Sequence, residues 1–196
     1  GYAELNSVTD NPLVFENGDI ISGGNFHGQP LALALDFAAM ALAELASISE
    51  RRTYLLLEGV DGLPKFLMHD TGVNSGFMIP QYTAAALVSE GKTLSHPASV
   101  DSMPTSAGQE DHVSMSTWAA RKLARVAELT RQVLGMEYLA AVQALEFQRP
   151  LRTSPALEEA AGRLRERVPR LEEDRYMASD MAVAAELVPT LGPLAD

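Results

Sequence analysis

Apolar and small side chains recur with helical spacing along much of the chain, most clearly in two stretches of its first half. From Leu31 to about Leu57 there is no Pro or Gly, and Pro30 suits a first helical turn because its missing N–H would be unpaired there. A shorter stretch, Pro80 to Lys92, has small residues at its centre. The pattern predicts two helices whose small-residue faces favour close packing.

The longest predicted helix covers the middle of the chain. Ser106 and Gln109 have the spacing of a capping box, which bonds the free N–H groups at a helix start. From Gln109 to Phe147 there is no Pro, and Gly135 is the only Gly. An apolar face and a polar face alternate with helical period: Val126, Leu129, Val133, Met136, Ala140; and Arg121, Arg125, Glu128, Gln132. A helix of more than about 35 residues exceeds the globular norm and indicates a bundle or an oligomer core.

The remaining segments predict loops and short elements. Turn-forming residues fill 6–25, where short apolar runs at 13–15 and 20–21 allow a small hairpin. Glycines and prolines predict loops at 59–74 and 96–106.

The tail after Pro150 predicts a charged helix over 156–168 and a second short one near 180–187. The predicted fold is therefore all-α, a long-helix bundle preceded by a short irregular N-terminal segment. Residues 1–150 form the predicted helical core segment, and residues 151–196 carry small C-terminal helices.

Composition narrows the classes of function. The net charge of −11 disfavours nucleic acids and anionic membranes as partners. The absence of cysteine excludes disulfides, thiolate metal sites and cysteine nucleophiles. The most apolar stretch is interrupted by Asp36 and Glu44 and is largely alanine, which predicts a packed helix rather than a membrane span. With no visible signal peptide, we expect a cytoplasmic protein.

Residue types and their spacing, taken alone, show no complete set of catalytic residues. None of the four histidines, at 27, 69, 96 and 112, has the spacing of a helical metal site, so no metal is predicted. Two segments stand out nevertheless. The first is a glycine-flanked loop, 23–28, that could bring Phe26 to a ligand or simply tuck it into the core. The second is the polar cluster 109–112, whose acids could serve a site or merely complement a helix dipole.

Six segments, in this order, resemble consecutive signatures of histidine ammonia-lyases, members of the aromatic amino acid lyase family. They are NSVTDNPLVF at 6–15, SGGNFHG at 22–28, SERR at 49–52, GVNSGFMI at 72–79, HPASVDS at 96–102 and SAGQEDHVSM at 106–115. The similarity is dense from about residue 6 to 150 and thin in the tail. The resemblance implies the carboxy-terminal part of such a lyase, and the chain's start at Gly1-Tyr2 suggests a piece of something longer.

The resemblance implies a reaction in which histidine loses ammonia to give trans-urocanate. An electrophilic prosthetic group, methylidene-imidazolone (MIO), takes up the substrate amine while an enzymic base removes the β-proton. The family forms this group from an internal Ala-Ser-Gly triplet. That triplet is absent from this chain, so the resemblance places it in an N-terminal portion. The chain alone is therefore expected to be inactive.

The resemblance assigns roles to specific residues. It places Phe26 against the prosthetic group and the substrate, and Glu110 opposite the substrate imidazole, as anchor or as base. A tyrosine of the missing portion competes for the role of base. Gln109 is a further substrate-binding candidate, and Asn25 and His27 shape the loop. A carboxylate beside an imidazole makes electrostatic sense, whereas beside a phenyl ring it would be an unpaired desolvated charge. This favours histidine as substrate.

Two departures from the family pattern accompany these matches. Gly108 stands where the family has Asn, and Gln29 where it has Glu. The resemblance further implies a homotetramer whose sites are shared between subunits, so Phe26 and Glu110 can serve different sites. The rival hypotheses are a tyrosine or phenylalanine ammonia-lyase or aminomutase of the same fold, and a non-catalytic scaffold subunit. We also expect the isolated chain to fold poorly, because its apolar faces need partner helices.

Overall fold

Helices dominate the computed structural model, which describes residues 2–192. The elements are α1 (Tyr2–Leu5), β1 (Leu13–Val14), β2 (Ile20–Ile21), α2 (Gln29–Leu57), α3 (Met78–Leu94), α4 (Ser116–Phe147), α5 (Pro155–Arg165) and α6 (Ala178–Leu187). Strands β1 and β2 pair antiparallel as a small hairpin. The predicted all-α class is confirmed. The last four residues of the predicted C-terminal segment, 193–196, lie outside the described residues, as does residue 1.

Helices α2 and α4 lie side by side and run in the same direction. Buried small and apolar residues recur every seven positions on both, which is the spacing of coiled-coil-like packing. They are Ala32, Ala39, Ala46 and Thr53 on α2, and Ala119, Val126, Val133 and Ala140 on α4. Along the pair, the Thr130 hydroxyl donates to the Leu42 carbonyl at 3.2 Å, and Arg52 meets Glu137 at 2.5 Å.

Helix α3 runs antiparallel to both. Near its start Gln81 donates to Glu50 at 2.7 Å, and near its end Glu90 accepts from Arg125 at 2.8 Å. Because α2 and α4 start at the same end of the bundle and α3 returns to it, the loops before α2 and before α4 gather there. We call this the loop end, and the opposite end, where α2 and α4 finish, the core end.

The capping-box prediction was wrong. Ser106, Ala107 and Gly108 have φ values of 51°, 56° and 88°, in the left-handed region, whereas a helix start requires right-handed geometry after its cap. These residues close a tight turn between Thr105 and Glu110, which form an antiparallel bridge. Helix α4 begins at Ser116, ten residues after Ser106, and has 32 residues, fewer than the sequence pattern indicated.

A buried ion pair joins α2 to α4 near the loop end. The Lys122 ammonium lies 3.1 Å from the Asp36 carboxylate, and both side chains are almost fully buried. By length and composition α2 could cross a membrane, with a mean hydropathy of 1.8 over its most apolar window. Its buried Asp36 and Glu50 instead pair with residues of this chain, which is how a helix packed within protein satisfies its charges.

The core end holds the largest apolar cluster, which includes Leu57, Leu67, Phe77, Leu139 and Leu164. The C-terminal helices pack on it, and α6 approaches α4 so closely that a Cβ on Gly135 would lie 2.6 Å from the Ala185 nitrogen. Residues after 150 thus share a core with residues before it. The division at residue 150 stays a prediction.

A second apolar face of α2 is exposed in this chain. It carries large side chains that are between 42% and 72% exposed: Leu33, Phe37, Met40, Leu45, Ile48 and Leu55. Contiguous exposed apolar surface of this kind indicates an interaction face.

Candidate functional site

The loop that carries Phe26 lies on the surface at the loop end. The Phe26 side chain is 51% exposed, so it does not tuck into the core of this chain. Asn25 holds the loop to the N-terminal segment, donating from its side-chain amide to the Val8 carbonyl at 2.9 Å. Gly28 lies against the start of α4, where a Cβ would meet the Ser116 hydroxyl oxygen at 2.5 Å. A side chain at that position would force the Ser114 and Ser116 side chains to move, so glycine suits the close contact with α4.

Glu110 lies on the loop before α4, not in a helical turn. Its backbone is bridged to Thr105, whose N–H donates to the Glu110 carbonyl at 3.1 Å. The Thr105 hydroxyl donates weakly, at 3.4 Å, to the carboxylate. Because α4 starts six residues later, stabilisation of a helix dipole does not account for this acid. Glu110 and the neighbouring Gln109 are both exposed, so their side chains are available to a ligand or to a partner surface.

Two histidines bring the loops together. The backbone N–H of Gln29 donates to His27 Nδ1 at 3.2 Å, so Nδ1 carries no proton and Nε2 carries it. Nε2 then donates to the His112 carbonyl at 2.9 Å. The two imidazole rings stack, with centroids 5.3 Å apart and planes 13° apart. The structure therefore joins the loop of Phe26 to the loop of Glu110 through His27, which follows Phe26, and His112, which lies two residues after Glu110.

The start of the second loop is held by the buried pair of Asp36 and Lys122. Asp36 accepts from the Ser99 backbone N–H at 2.7 Å, and Lys122 donates to the His96 carbonyl. Burial alone would raise the pKa of the Asp36 carboxyl. The hydrogen bonds from Ser99, from Ala98 and from Lys122 outweigh that burial and hold the pKa below its ordinary value.

Sequence reasoning missed Asp36 and Lys122 as supports of the site. The available signal was an acid inside an alanine-rich helix, because a buried carboxylate needs a buried cation or hydrogen-bond donors. Gln29, noted only as a departure from the family pattern, also holds this loop, since its side-chain amide donates to the Ser99 carbonyl at 2.8 Å.

Other parts of the described chain offer less chemistry. Within residues 2–192, no three histidine or acidic side chains cluster as metal ligands would. A cavity of about 440 Å³ lies between α4 and α5, lined by apolar residues that include Tyr138, Leu145 and Leu157. It is at the core end, away from Phe26 and Glu110. Its charged side chains, Glu159 and Arg163, are paired with each other, and the Tyr138 hydroxyl donates to the Ala160 carbonyl.

Known proteins resemble this chain closely. The sequence model of the family described as "Aromatic amino acid lyase" matches residues 2–166. Histidine ammonia-lyase of Vibrio cholerae is 60% identical over 187 residues, covering 94% of this chain and 37% of that enzyme. Histidine ammonia-lyase of Shewanella pealeana is 58% identical over 189 residues. The chain thus spans little more than a third of the length of these relatives.

The backbone has close counterparts among solved structures. Histidine ammonia-lyase of Trypanosoma cruzi matches with a TM-score of 0.91 and 47% identity, over 95% of this chain and 38% of that one. Tyrosine aminomutase of Streptomyces globisporus matches with a TM-score of 0.90 and 42% identity, over 95% of this chain and 36% of that one. With the family model covering most of its length, and a backbone that closely matches a solved histidine ammonia-lyase, the chain belongs to the aromatic amino acid lyase family.

Proposed function

We propose that this chain is the carboxy-terminal part of a histidine ammonia-lyase and supplies Phe26 and Glu110 to its active site. The enzyme would convert L-histidine to trans-urocanate and ammonia, as a carbon–nitrogen lyase. The observation that carries the proposal is the 60% identity to the Vibrio cholerae enzyme over 94% of the chain. The placement of Glu110 on an exposed loop, outside any helix, supports a role in binding.

The residues of this chain can accommodate an electrophilic group that another part of the lyase supplies. The sequence has no Ala-Ser-Gly triplet from which the methylidene-imidazolone group could form. Phe26, half exposed on a loop packed against α4, offers an apolar ring to such a group from outside. When bound, the group supplies an electron-poor centre that takes up the substrate amine and makes it a better leaving group. Substrate binding and proton transfer are left to side chains, several of them outside this chain.

Glu110 is proposed to hold the substrate imidazole. A carboxylate accepts a hydrogen bond from a ring N–H, and a charge-assisted bond of this kind both orients the ring and discriminates against phenyl. The same oxygen can accept or hold a proton during elimination. Gln109 lies beside it as a further polar contact, and Phe26 excludes water around the reacting carbon.

The assembly is proposed to be a homotetramer with shared sites, completed by the N-terminal portion of the same lyase. The exposed apolar face of α2 supports this, since Phe37 at 72% exposure and Leu45 at 54% would be covered by partner helices. A cytoplasmic location is proposed as well, supported by the lack of disulfide-forming residues in this chain. No partner nucleic acid or membrane is proposed.

The test is a chimaeric lyase in which this chain replaces the segment of the Vibrio cholerae enzyme that it matches. We expect the chimaera to release urocanate from histidine. Glu110→Gln should lower kcat/KM for histidine by about a hundredfold, the scale of one lost acid–base group. The matched control is Asp111→Asn, which removes the adjacent exposed acid and should leave the rate near that of the unaltered chimaera. Full activity in Glu110→Gln would contradict the assigned role.

A second candidate is a tyrosine or phenylalanine ammonia-lyase or aminomutase. The close match to the tyrosine aminomutase backbone favours it, because the fold is shared by enzymes of different named activity. A substrate panel with histidine, tyrosine and phenylalanine separates the candidates. An aminomutase would return a β-amino acid with little free ammonia. A non-catalytic scaffold would leave the chimaera inactive on all three despite normal assembly.

A further inference from the structure

We propose that His27 is a positioning residue that locks the Phe26 loop to the Glu110 loop through the Nε2–H bond to the His112 carbonyl. The inference deepens the proposed function and rests on it for the identity of the substrate. Its structural basis is the contact between two loops 85 residues apart in sequence.

The hydrogen bond between His27 and His112 lies within two residues of both proposed site residues. His27 follows Phe26 in the chain, and His112 comes two residues after Glu110. The donor–acceptor distance of 2.9 Å is that of a well-formed hydrogen bond. Whether Phe26 and Glu110 face one substrate or adjacent sites of an oligomer, a displacement of either loop would move the other.

The Glu110 loop depends on such a connection. Its turn at 106–108 is left-handed, and the Thr105 bridge and the bond from Val113 N–H to Ser102 Oγ, at 2.9 Å, tie the loop only to itself. Asp36 anchors the start of the loop at Ser99, eleven residues before Glu110. The contact with His27 anchors the other side, close to the acid.

The tautomer of His27 is set by its neighbours. Because Gln29 N–H occupies Nδ1, the ring proton is held on Nε2, where it can reach His112. The His112 ring then covers the His27 ring in a near-parallel stack. The backbone carbonyl supplies the acceptor, so the hydrogen bond does not require the His112 side chain.

Three variants of the chimaeric lyase separate these contacts. In His27→Gln the amide nitrogen can take the place of Nε2 and keep the bond to the His112 carbonyl. In His27→Asn the shorter amide can still accept from Gln29 N–H but cannot reach His112. In His112→Ala the carbonyl remains and only the stack is lost. Activity on histidine and thermal unfolding are measured for each.

We expect His27→Asn to lower kcat/KM by about tenfold or more, since small misplacement of a catalytic group is costly. His27→Gln should recover most of that loss, and His112→Ala should fall between them, with all three unfolding at nearly the same temperature. If His27 served only stability, the unfolding temperatures of His27→Asn and His27→Gln would instead fall together. Equal activity in the Asn and Gln variants, high or low, overturns the proposal.

A spectroscopic readout is independent of turnover. In the unaltered chimaera, the ¹⁵N chemical shifts of the His27 ring should report a protonated Nε2 and an unprotonated Nδ1. The opposite tautomer would overturn the lock even if the enzyme were active. If the chimaera instead has no activity but shows the expected tautomer, the proposed function fails while the lock stands.

Discussion

The two ends of helix α4 are held in place by different kinds of interaction. At the core end, large apolar side chains such as Leu139, Leu164 and Phe77 are buried together. At the loop end, the buried apolar cluster consists of the alanines Ala32, Ala98 and Ala119, with Leu35 and Met115 packed against it. Alanine side chains bury little area, and the hydrophobic contribution scales with that area.

Polar contacts compensate for the small apolar cluster at the loop end. The pair of Asp36 and Lys122 and the bond between His27 and His112 both act there, each fixing a backbone segment next to the proposed site. Such contacts depend on direction as well as distance, whereas apolar burial is non-directional. The end with the smaller apolar cluster is therefore the end where directional polar contacts hold the loops, as a site on loops requires.

The largest effect is expected from Lys122→Met at the loop end. It leaves the Asp36 carboxylate buried without its cation, which costs about 3–5 kcal/mol in comparable cases. Thermal unfolding of the chimaeric lyase measures the loss, and activity should fall with it because the His96–Ser99 segment loses its anchor. The double variant Asp36→Asn/Lys122→Met, without an unpaired charge, should recover much of the stability; no recovery would mean that the ion pair is not the cause.

At the core end, Leu139→Ala should cost about 3 kcal/mol through lost burial and the cavity that remains. Unlike Lys122→Met, it should leave kcat/KM on histidine unchanged at temperatures where the protein is folded. The control is Leu151→Ala, which removes a side chain that is 69% exposed and should hardly change the free energy of unfolding. A selective loss of activity in Leu139→Ala would break the distinction between the two ends.

Gly135→Ala tests the close approach of α6 to α4. The added Cβ would lie 2.6 Å from the Ala185 nitrogen, so α6 must shift, at a cost of about 1–3 kcal/mol that exceeds the helix-propensity gain. Gly162→Ala is the matched control, because its Cβ would meet no atom within 4 Å. Thermal unfolding should show destabilisation in the first variant and none in the second.

A smaller effect concerns pH. The pKa of Asp36 in the folded chain lies below its ordinary value of 3.8, so its contribution to stability is present above that pH and is lost as the pH falls through the folded pKa. Unfolding temperature should therefore decline below about pH 4. In Asp36→Asn this part of the decline should disappear. An unchanged acid profile in that variant would assign the decline to other carboxylates, such as Glu158, whose pKa its bonds to Arg149 lower to about 2.

Much of the helical framework could be predicted from residues alone. The bounds of α2 and α3 were predicted to within two residues, and the C-terminal end of α4 at Phe147 was also correct. The start of α4 was not, because Ser106 and Gln109 satisfy a local capping pattern while the backbone between them is left-handed. A pattern of residue types does not report the sign of φ, and Gly108 was the one visible sign of a turn.

Phe26 and Glu110 were predicted from resemblance to a family, whereas the residues that support them are evident only in the tertiary structure. His27 and Asn25 could be named as loop residues, but the partner of His27 is a backbone carbonyl, which has no sequence signature. Asp36 and Lys122 lie 86 positions apart, on two helices whose mutual register is set by packing.

The sequence by itself determined the class of this protein, its long helices and the residue types that any site could use, because helical periodicity and motifs are local properties. Tertiary structure alone decided which end of the bundle gathers the loops and which polar groups hold them. The reason is that α2 and α4 run in the same direction, with Ala32 beside Ala119, so the segments before both helices meet. That direction arises from side-chain packing between elements far apart in the chain, which no local pattern encodes.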